Sequence, residues 1–345
     1  MKTPAISFVA KHRFEYSKPK KPLANPSATQ PTLDAAILRY ESQQKLKTAI
    51  NQAKQSLTAL PNIKNASDFA IKKSNDILYE AKEIQATANK LMNKIKETEA
   101  YRVYLDDKQN GRELSFYPLE VEFGDKLFDV TIYPNKKITA VERIYPATEQ
   151  FYRLNGSLGA KEDRFGKEIY EFGANTSDLM YYAKNHRTMG TAKAIDKEFK
   201  FFDDGILHEY NEGVSKGEFE LIQQRFKFRA EEDNSIYSFA TMVKTYLDKE
   251  YADRVFEYDH NKELTCFIKD YKEGMLGYVQ GDLLYKFEDE KLRSLQKNYC
   301  EGENYTTADM KVEFNNENEF AVYVDYDTRT DSIYTSSCFY KAAQH

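Results

Sequence analysis

The string in this chain that most resembles a catalytic signature is His208-Glu209-Tyr210-Asn211-Glu212. It resembles the HExxH zinc motif, where two histidines one helical turn apart hold the metal and the glutamate acts as base. Here Glu212 replaces the second histidine, and the segment reads as strand and turn rather than helix. Asp325-Tyr326-Asp327-Thr328 follows a hydrophobic strand as an acidic phosphotransferase loop does, but Arg329 stands where Thr or Val belongs, and only 16 residues follow it. Asp325, Asp327 and Asp331 fail the calcium-loop pattern, which needs a central glycine and a closing glutamate. Gly159 and Gly166-Lys167-Glu168 enclose six residues and lack the Ser/Thr of a P-loop. The histidines His12, His186, His208, His260 and His345 pair with no nucleophile and orienting acid in a local signature. No catalytic residue, metal ligand or cofactor is assigned from these strings.

Carboxylates are plentiful, so a two-acid hydrolase site is compatible with the sequence. The absence of tryptophan, a common sugar platform, counts against that chemistry. Acids at turn positions (Asp203, Asp204, Glu231, Glu232, Glu288, Asp289) are explained by the backbone conformations that tight turns require. More informative is a tetrapeptide that occurs three times: Tyr210-Asn211-Glu212-Gly213, Tyr271-Lys272-Glu273-Gly274 and Tyr299-Cys300-Glu301-Gly302. Its Tyr, Glu and Gly residues are the binding candidates, structural first and binding second.

The elements that would position them follow from periodicity. Beyond about residue 105 the apolar period is two. Strand-like runs appear at Leu114–Tyr117, Leu119–Phe123 and Phe128–Tyr133. One pattern then recurs, in which two apolar, mostly aromatic, residues flank a charged one. It is seen at Tyr170-Glu171-Phe172, Phe199-Lys200-Phe201, Phe226-Lys227-Phe228, Phe256-Glu257-Tyr258, Tyr285-Lys286-Phe287 and Val312-Glu313-Phe314. The steps between copies are 29, 27, 30, 29 and 27 residues, and Cys338-Phe339-Tyr340 begins a truncated seventh. Each triplet puts two rings on one strand face and a charge on the other. A polar turn and a return strand follow (Leu207–Tyr210, Leu264–Ile268, Leu292–Leu295, Phe320–Tyr326), with the connecting half of each unit expected to be less regular.

A hairpin repeat with an aromatic strand, a Tyr-x-x-Gly turn and a return strand resembles the MORN-type β-hairpin repeat across residues 167–341. The units here, near 28 residues, are longer and poorer in glycine than MORN units. The resemblance implies a scaffold or interaction role and assigns no catalytic residue.

Upstream the period is helical. Thr32 opens a helix with the stripe Leu33, Ile37, Tyr40, Leu46, Ile50, Ala53, Leu57 and Leu60, and Pro61 with Asn62–Asn65 reads as its end. A second helix from Ser67/Asp68 to about Tyr104 carries Ile77, Ala81, Ile84, Ala88, Leu91 and Ile95 at heptad spacing. It would be roughly 55 Å long. Alanine at half the seam positions buries too little for an isolated hairpin, so the helices should pack on the sheet, a partner or a second copy. Before them, Pro19, Pro22, Pro26 and Pro31 with Lys18, Lys20 and Lys21 describe a basic, disordered leader over 1–31.

Charge divides along the same line. Residues 1–104 hold 18 basic and 9 acidic side chains, and residues 105–345 hold 32 and 46. The acidic half disfavours nucleic-acid binding there. Cys266, Cys300 and Cys338 form no disulfide or metal framework, and no apolar run is long enough to span a membrane. These features suggest a cytoplasmic protein, with export lacking a signal peptide left open.

The expected fold is α+β. A coiled-coil-like antiparallel helical hairpin (32–105) precedes an antiparallel β-meander of about six hairpin repeats (106–345). The expected function is non-enzymatic interaction or scaffolding. The helical hairpin would mediate self- or partner association, and the acidic, tyrosine-rich sheet would supply a binding surface. The alternatives are a carboxylate-dependent hydrolase on the concave sheet face and a bacterial effector or immunity-type protein.

Overall fold

A computed structural model describes residues 30–112, 115–144, 149–152, 158–162, 166–189, 191–231, 234–274, 278–314, 319–328 and 338–341. The expected leader lies almost wholly outside the described residues, as does Asp331. The elements are α1 (Gln30–Thr58), α2 (Leu60–Glu97), α3 (Glu99–Gln109), β1 (Tyr117–Phe123), β2 (Lys126–Tyr133), β3 (Lys137–Glu142), β4 (Glu149–Tyr152) and β5 (Leu158–Glu162). They continue with β6 (Lys167–Gly173), β7 (Leu179–Met189), β8 (Ala192–Phe201), β9 (Leu207–Lys216), β10 (Glu220–Phe228), β11 (Ile236–Tyr246) and β12 (Lys249–Tyr258). The last six are β13 (Leu264–Glu273), β14 (Val279–Glu288), β15 (Lys291–Gly302), β16 (Tyr305–Phe314), β17 (Glu319–Asp327) and β18 (Cys338–Lys341).

These form two compact units: a central one, Ser67–Glu263, and a terminal one, Met1–Ala66 with Leu264–His345. In the central unit the sheet order is β1-β2-β3-β6 through β12, with β4–β5 as a separate hairpin; in the terminal unit it is β13 through β18. Neighbours pair antiparallel in chain order within each unit, so the meander is observed. The truncated seventh copy supplies β18, which pairs with β17.

The expected helical hairpin is replaced by one long bent helix. Ala59 N donates to Ser56 O and Ile63 N to Ala59 O, so backbone bonding tightens at the bend and then resumes. Pro61 sits in the first turn of α2, where a missing N–H is tolerated; it bends the rod without ending it. The second helix also breaks earlier than expected, at Thr98, whose hydroxyl caps α3 by accepting from Tyr101 N. Ile37 and Tyr40, placed in the apolar stripe of α1, are exposed, whereas Ile50 and Ala53 are buried.

In the central unit, α2 covers a row of rings. Tyr170, Tyr182, Phe199, Tyr210, Phe226, Phe239 and Phe256 occupy seven successive strands in direct register. Their neighbouring centroids are 4.6 to 5.9 Å apart, and all seven are buried. Over them lie Ser67, Ala70, Ser74, Ile77, Ala81, Ala88, Leu91 and Ile95, a buried stripe at heptad spacing. Small helix residues above large rings let the two layers approach closely. The helix runs against the strand order: Lys73 reaches β9 and β10, Glu80 reaches β8, and Tyr104 packs edge-on against Tyr117 of β1. Half a heptad advances about 5 Å along a helix, close to the spacing of adjacent strands. The heptad seam is therefore buried on a sheet and is not a coiled-coil interface. In the terminal unit Phe267, Tyr285, Leu295, Val312 and Val322 form the equivalent row, and Tyr285 OH donates to Ser56 O of α1 at 3.1 Å.

The connecting half of each repeat is more regular than expected. The repeats from β6–β7 to β14–β15 are pairs of strands of seven to twelve residues, and the odd-numbered strand of each contains a left-handed residue near its middle. These are Asn185, Gly213, Met242, Asp270 and Asn298, spaced 28, 29, 28 and 28 apart. Asn, Asp and Gly tolerate this conformation; Met does not. Ladder pairing lapses at these positions, and the strand beyond turns its buried residues to the face opposite the helix. Lys216 reaches back to Glu198, and a Cβ on Gly281 would lie 2.6 Å from Ile268 Cγ2. In β9 the two halves of the strand thus bury opposite faces.

Two substitutions with opposite signs test this packing. Phe226→Ala should cost about 3–5 kcal/mol in urea unfolding, from lost burial and a cavity under α2. Met242→Gly should raise stability by about 1 kcal/mol by relieving the left-handed methionine.

Candidate functional site

The first Tyr-x-Glu-Gly copy lies inside β9 rather than at the turn assigned to it, whereas the other two run to the ends of β13 and β15, Gly302 being the last residue of its strand and Gly274 the residue just beyond. In each, Tyr and Glu stand two residues apart on one strand face, so the phenol donates to the carboxylate. Tyr210 bonds Glu212 at 3.2 Å, Tyr271 bonds Glu273 at 2.7 Å, and Tyr299 bonds Glu301. Tyr170 makes the mirrored contact with Glu168 at 3.1 Å.

The copies are not structurally equivalent. Tyr271 and Tyr299 directly follow the left-handed residues Asp270 and Asn298, whereas Tyr210 precedes Gly213 by three and belongs to the ring row. Burial foremost, then the charges of Glu212 and Glu80, push the Tyr210 hydroxyl well above the ordinary phenol range. Glu212 is in turn ion-paired with Lys73, which also donates to Gln224 at 2.7 Å. This copy latches α2 to the sheet. The other two leave Glu273 and Glu301 exposed. Gly213 is required by its φ of 64°, and a Cβ there would also strike the Gln223 side chain; a Cβ at Gly302 would strike Tyr305. Gly274 has neither constraint. His208 packs its ring on Phe202 while Glu212 faces Lys73, so the HExxH-like string does not converge. Among the described residues no three His, Cys, Asp or Glu side chains gather as a metal site.

What does gather is a charged cluster on the sheet face opposite α2 in the central unit. Glu198, Asn211 and Arg225 are direct neighbours across β8, β9 and β10, and all three are buried. Each sits one residue from a member of the ring row and so points the other way. Asn211 Nδ2 donates to both Glu198 Oε2 and Glu209 Oε1, each at 2.8 Å. Lys216 and Tyr181 donate to Glu198 at 2.8 and 3.0 Å, and Lys200 donates to Glu209 at 2.7 Å. Arg225 pairs with Glu250.

Burial opposes ionisation of both central carboxylates, yet the cations and Asn211 outweigh it. Lys200, then Lys216 and Asn211, hold Glu198 below the usual carboxylate range. Lys200 and Arg225, with Asn211, bring Glu209 down to about 2. Burial first, then Glu198, drives the Tyr181 hydroxyl upward. A carboxylate so stabilised holds no proton near neutral pH and is a weak base, so the cluster suits clamping three strands better than proton transfer.

The open face is less acidic than its composition. Lys137 pairs with Glu171 and Lys311 with Glu313. The terminal unit separately holds a groove of ≈ 580 Å³ between α1 and β15–β17, with Ala49, Met310 and Val324 among its lining and Gln44, Lys297 and Asp309 on its polar side.

Sequence reasoning found the Tyr-x-Glu pairs and missed the cluster, whose members are joined only by strand register. A second overlooked signal is Asp196, Asp253, Asp282 and Asp309, each five residues before the last aromatic of its repeat. Two of them accept from left-handed asparagines: Asp196 from Asn185 at 2.7 Å and Asp309 from Asn298 at 2.5 Å. No family model matches the chain, and a search of curated proteins finds no match.

Glu209 supplies a pH test. Its folded value lies below the ordinary 4.5, so its contribution is complete above that value and is lost as pH falls toward 2. Wild type should lose stability across this window. Glu209→Gln should start less stable at neutral pH and lose measurably less on acidification. Parallel losses in the two proteins would contradict the assignment.

Proposed function

We propose that this protein is a non-enzymatic interaction module that presents the strands of its sheet as a binding surface. The observation that carries this reading is the mutual neutralisation of the buried cluster. Its carboxylates, Glu198 and Glu209, are held ionised by Lys200, Lys216 and Arg225, which suits neither of them to act as the acid or base of a hydrolysis. The resemblance to MORN-type hairpin repeats supports a scaffold role. The seam of α2 is consumed in packing, so association falls to surfaces other than the helical seam first expected to carry it. On the sheet, half-buried tyrosines such as Tyr237 and Tyr323 offer amphipathic contact area.

A photo-crosslinking amino acid at Tyr237 or Tyr323 of the full chain, expressed in its native host, tests the reading. A discrete protein adduct competed by excess wild-type protein is expected. Absence of any adduct, together with hydrolysis of ester or glycoside substrates that is lost in both Glu198→Gln and Glu209→Gln, would favour the hydrolase instead.

A further inference from the structure

One end of β9–β12 exposes an apolar surface that the fold does not need. Met242, Lys244 and Tyr246 alternate along β11, and Tyr251 lies directly opposite Lys244 on β12. Phe219, in the turn before β10, lies beneath the Lys244 ammonium at 4.3 Å from the ring centroid. Leu247 forms the β11–β12 turn with Asp248 and is 71% exposed; Met242 is 45% exposed. Both are left-handed, with φ of 46° and 52°, in positions where Gly or Asn would relieve strain. Exposed apolar side chains held at strained positions gain nothing from solvent, so their presence points to a role in contact.

The charges around the patch indicate the occupant. Lys244, Lys249, Asp248 and Glu218 make no ion pair among the described residues, while neighbouring Lys216, Arg225 and Glu250 are paired. Two cations and two anions without an ion-pair partner among the described residues therefore border one apolar centre. A two-fold contact would set each Lys against an acid of the other copy, as an isologous interface requires. On the order of 400 Å² of apolar surface per copy places such a contact in the weak, reversible class.

Resting on the interaction reading above, the geometry points to this patch as a self-association surface whose partner is a second copy of the chain. Leu247 and Met242 are its central contacts and Asp248 and Lys249 its charge register. Sedimentation velocity of the full chain over a wide concentration range, with thermal melts, tests it. Wild type should show a reversible monomer–dimer equilibrium in the micromolar range. Leu247→Asn and Met242→Gly should each raise the melting temperature and yet weaken association by roughly tenfold or more. Lys249→Asp should weaken it likewise, and adding Asp248→Lys should restore it by exchanging the two charges. A monomer at every concentration, or a dimer indifferent to these changes, would overturn the assignment. Neither outcome affects the cross-linking result, so failure of the second copy as occupant is separable from failure of the interaction reading.

Discussion

The match between helix rise and strand spacing is the constraint on which the central unit depends. A helix lying across a sheet meets a new strand about every 4.8 Å, and half a heptad climbs almost that far. A seam at heptad spacing can therefore set one residue over each successive strand. The small Ala70, Ser74, Ala81 and Ala88 and the larger Ile77, Leu91 and Ile95 are all buried along this seam. The Lys73 and Glu80 ion pairs fix the helix along its axis, one on each side of Ile77. Direct register of seven rings needs equal repeat lengths, which explains why the repeat period varies so little.

A left-handed residue in each of β7, β9, β11, β13 and β15 accompanies the second half of the design. Beyond the rings a second, aliphatic row (Ile195, Val214, Ile222, Val243 and Ala252) is buried, and the charged row Glu198, Asn211 and Arg225 is buried on the face opposite the helix. Burial of so many charges is tolerable only because each central carboxylate has cations and an amide donor within reach. The cluster is thus better understood as the polar counterpart of the ring row than as a reaction centre.

Much of this was legible in the chain. The aromatic–charge–aromatic triplets mark the ends of β6, β8, β10, β12 and β14 because period-two patterning and repetition reinforce each other. The helix seam was legible as well, but its partner was not: a 3.5-residue period suits a second helix and a strand ladder equally. Pro61 was read as a stop because proline chemistry alone does not distinguish a helix end from the first turn of the next segment. The left-handed positions carry Asn, Gly, Met, Asp and Asn, too varied to register as a motif. The charged cluster joins residues 9 to 25 positions apart across strands, which local patterns do not reveal.

The central claim, that the heptad seam is spent on its own sheet, is tested most directly by zero-length carbodiimide cross-linking of mixed isotopically light and heavy protein. The account predicts Lys73–Glu212 and Glu80–Lys197 links joining residues of the same copy, independent of concentration. Light–heavy links joining the α2 helices of two copies, in place of those pairs, would contradict it.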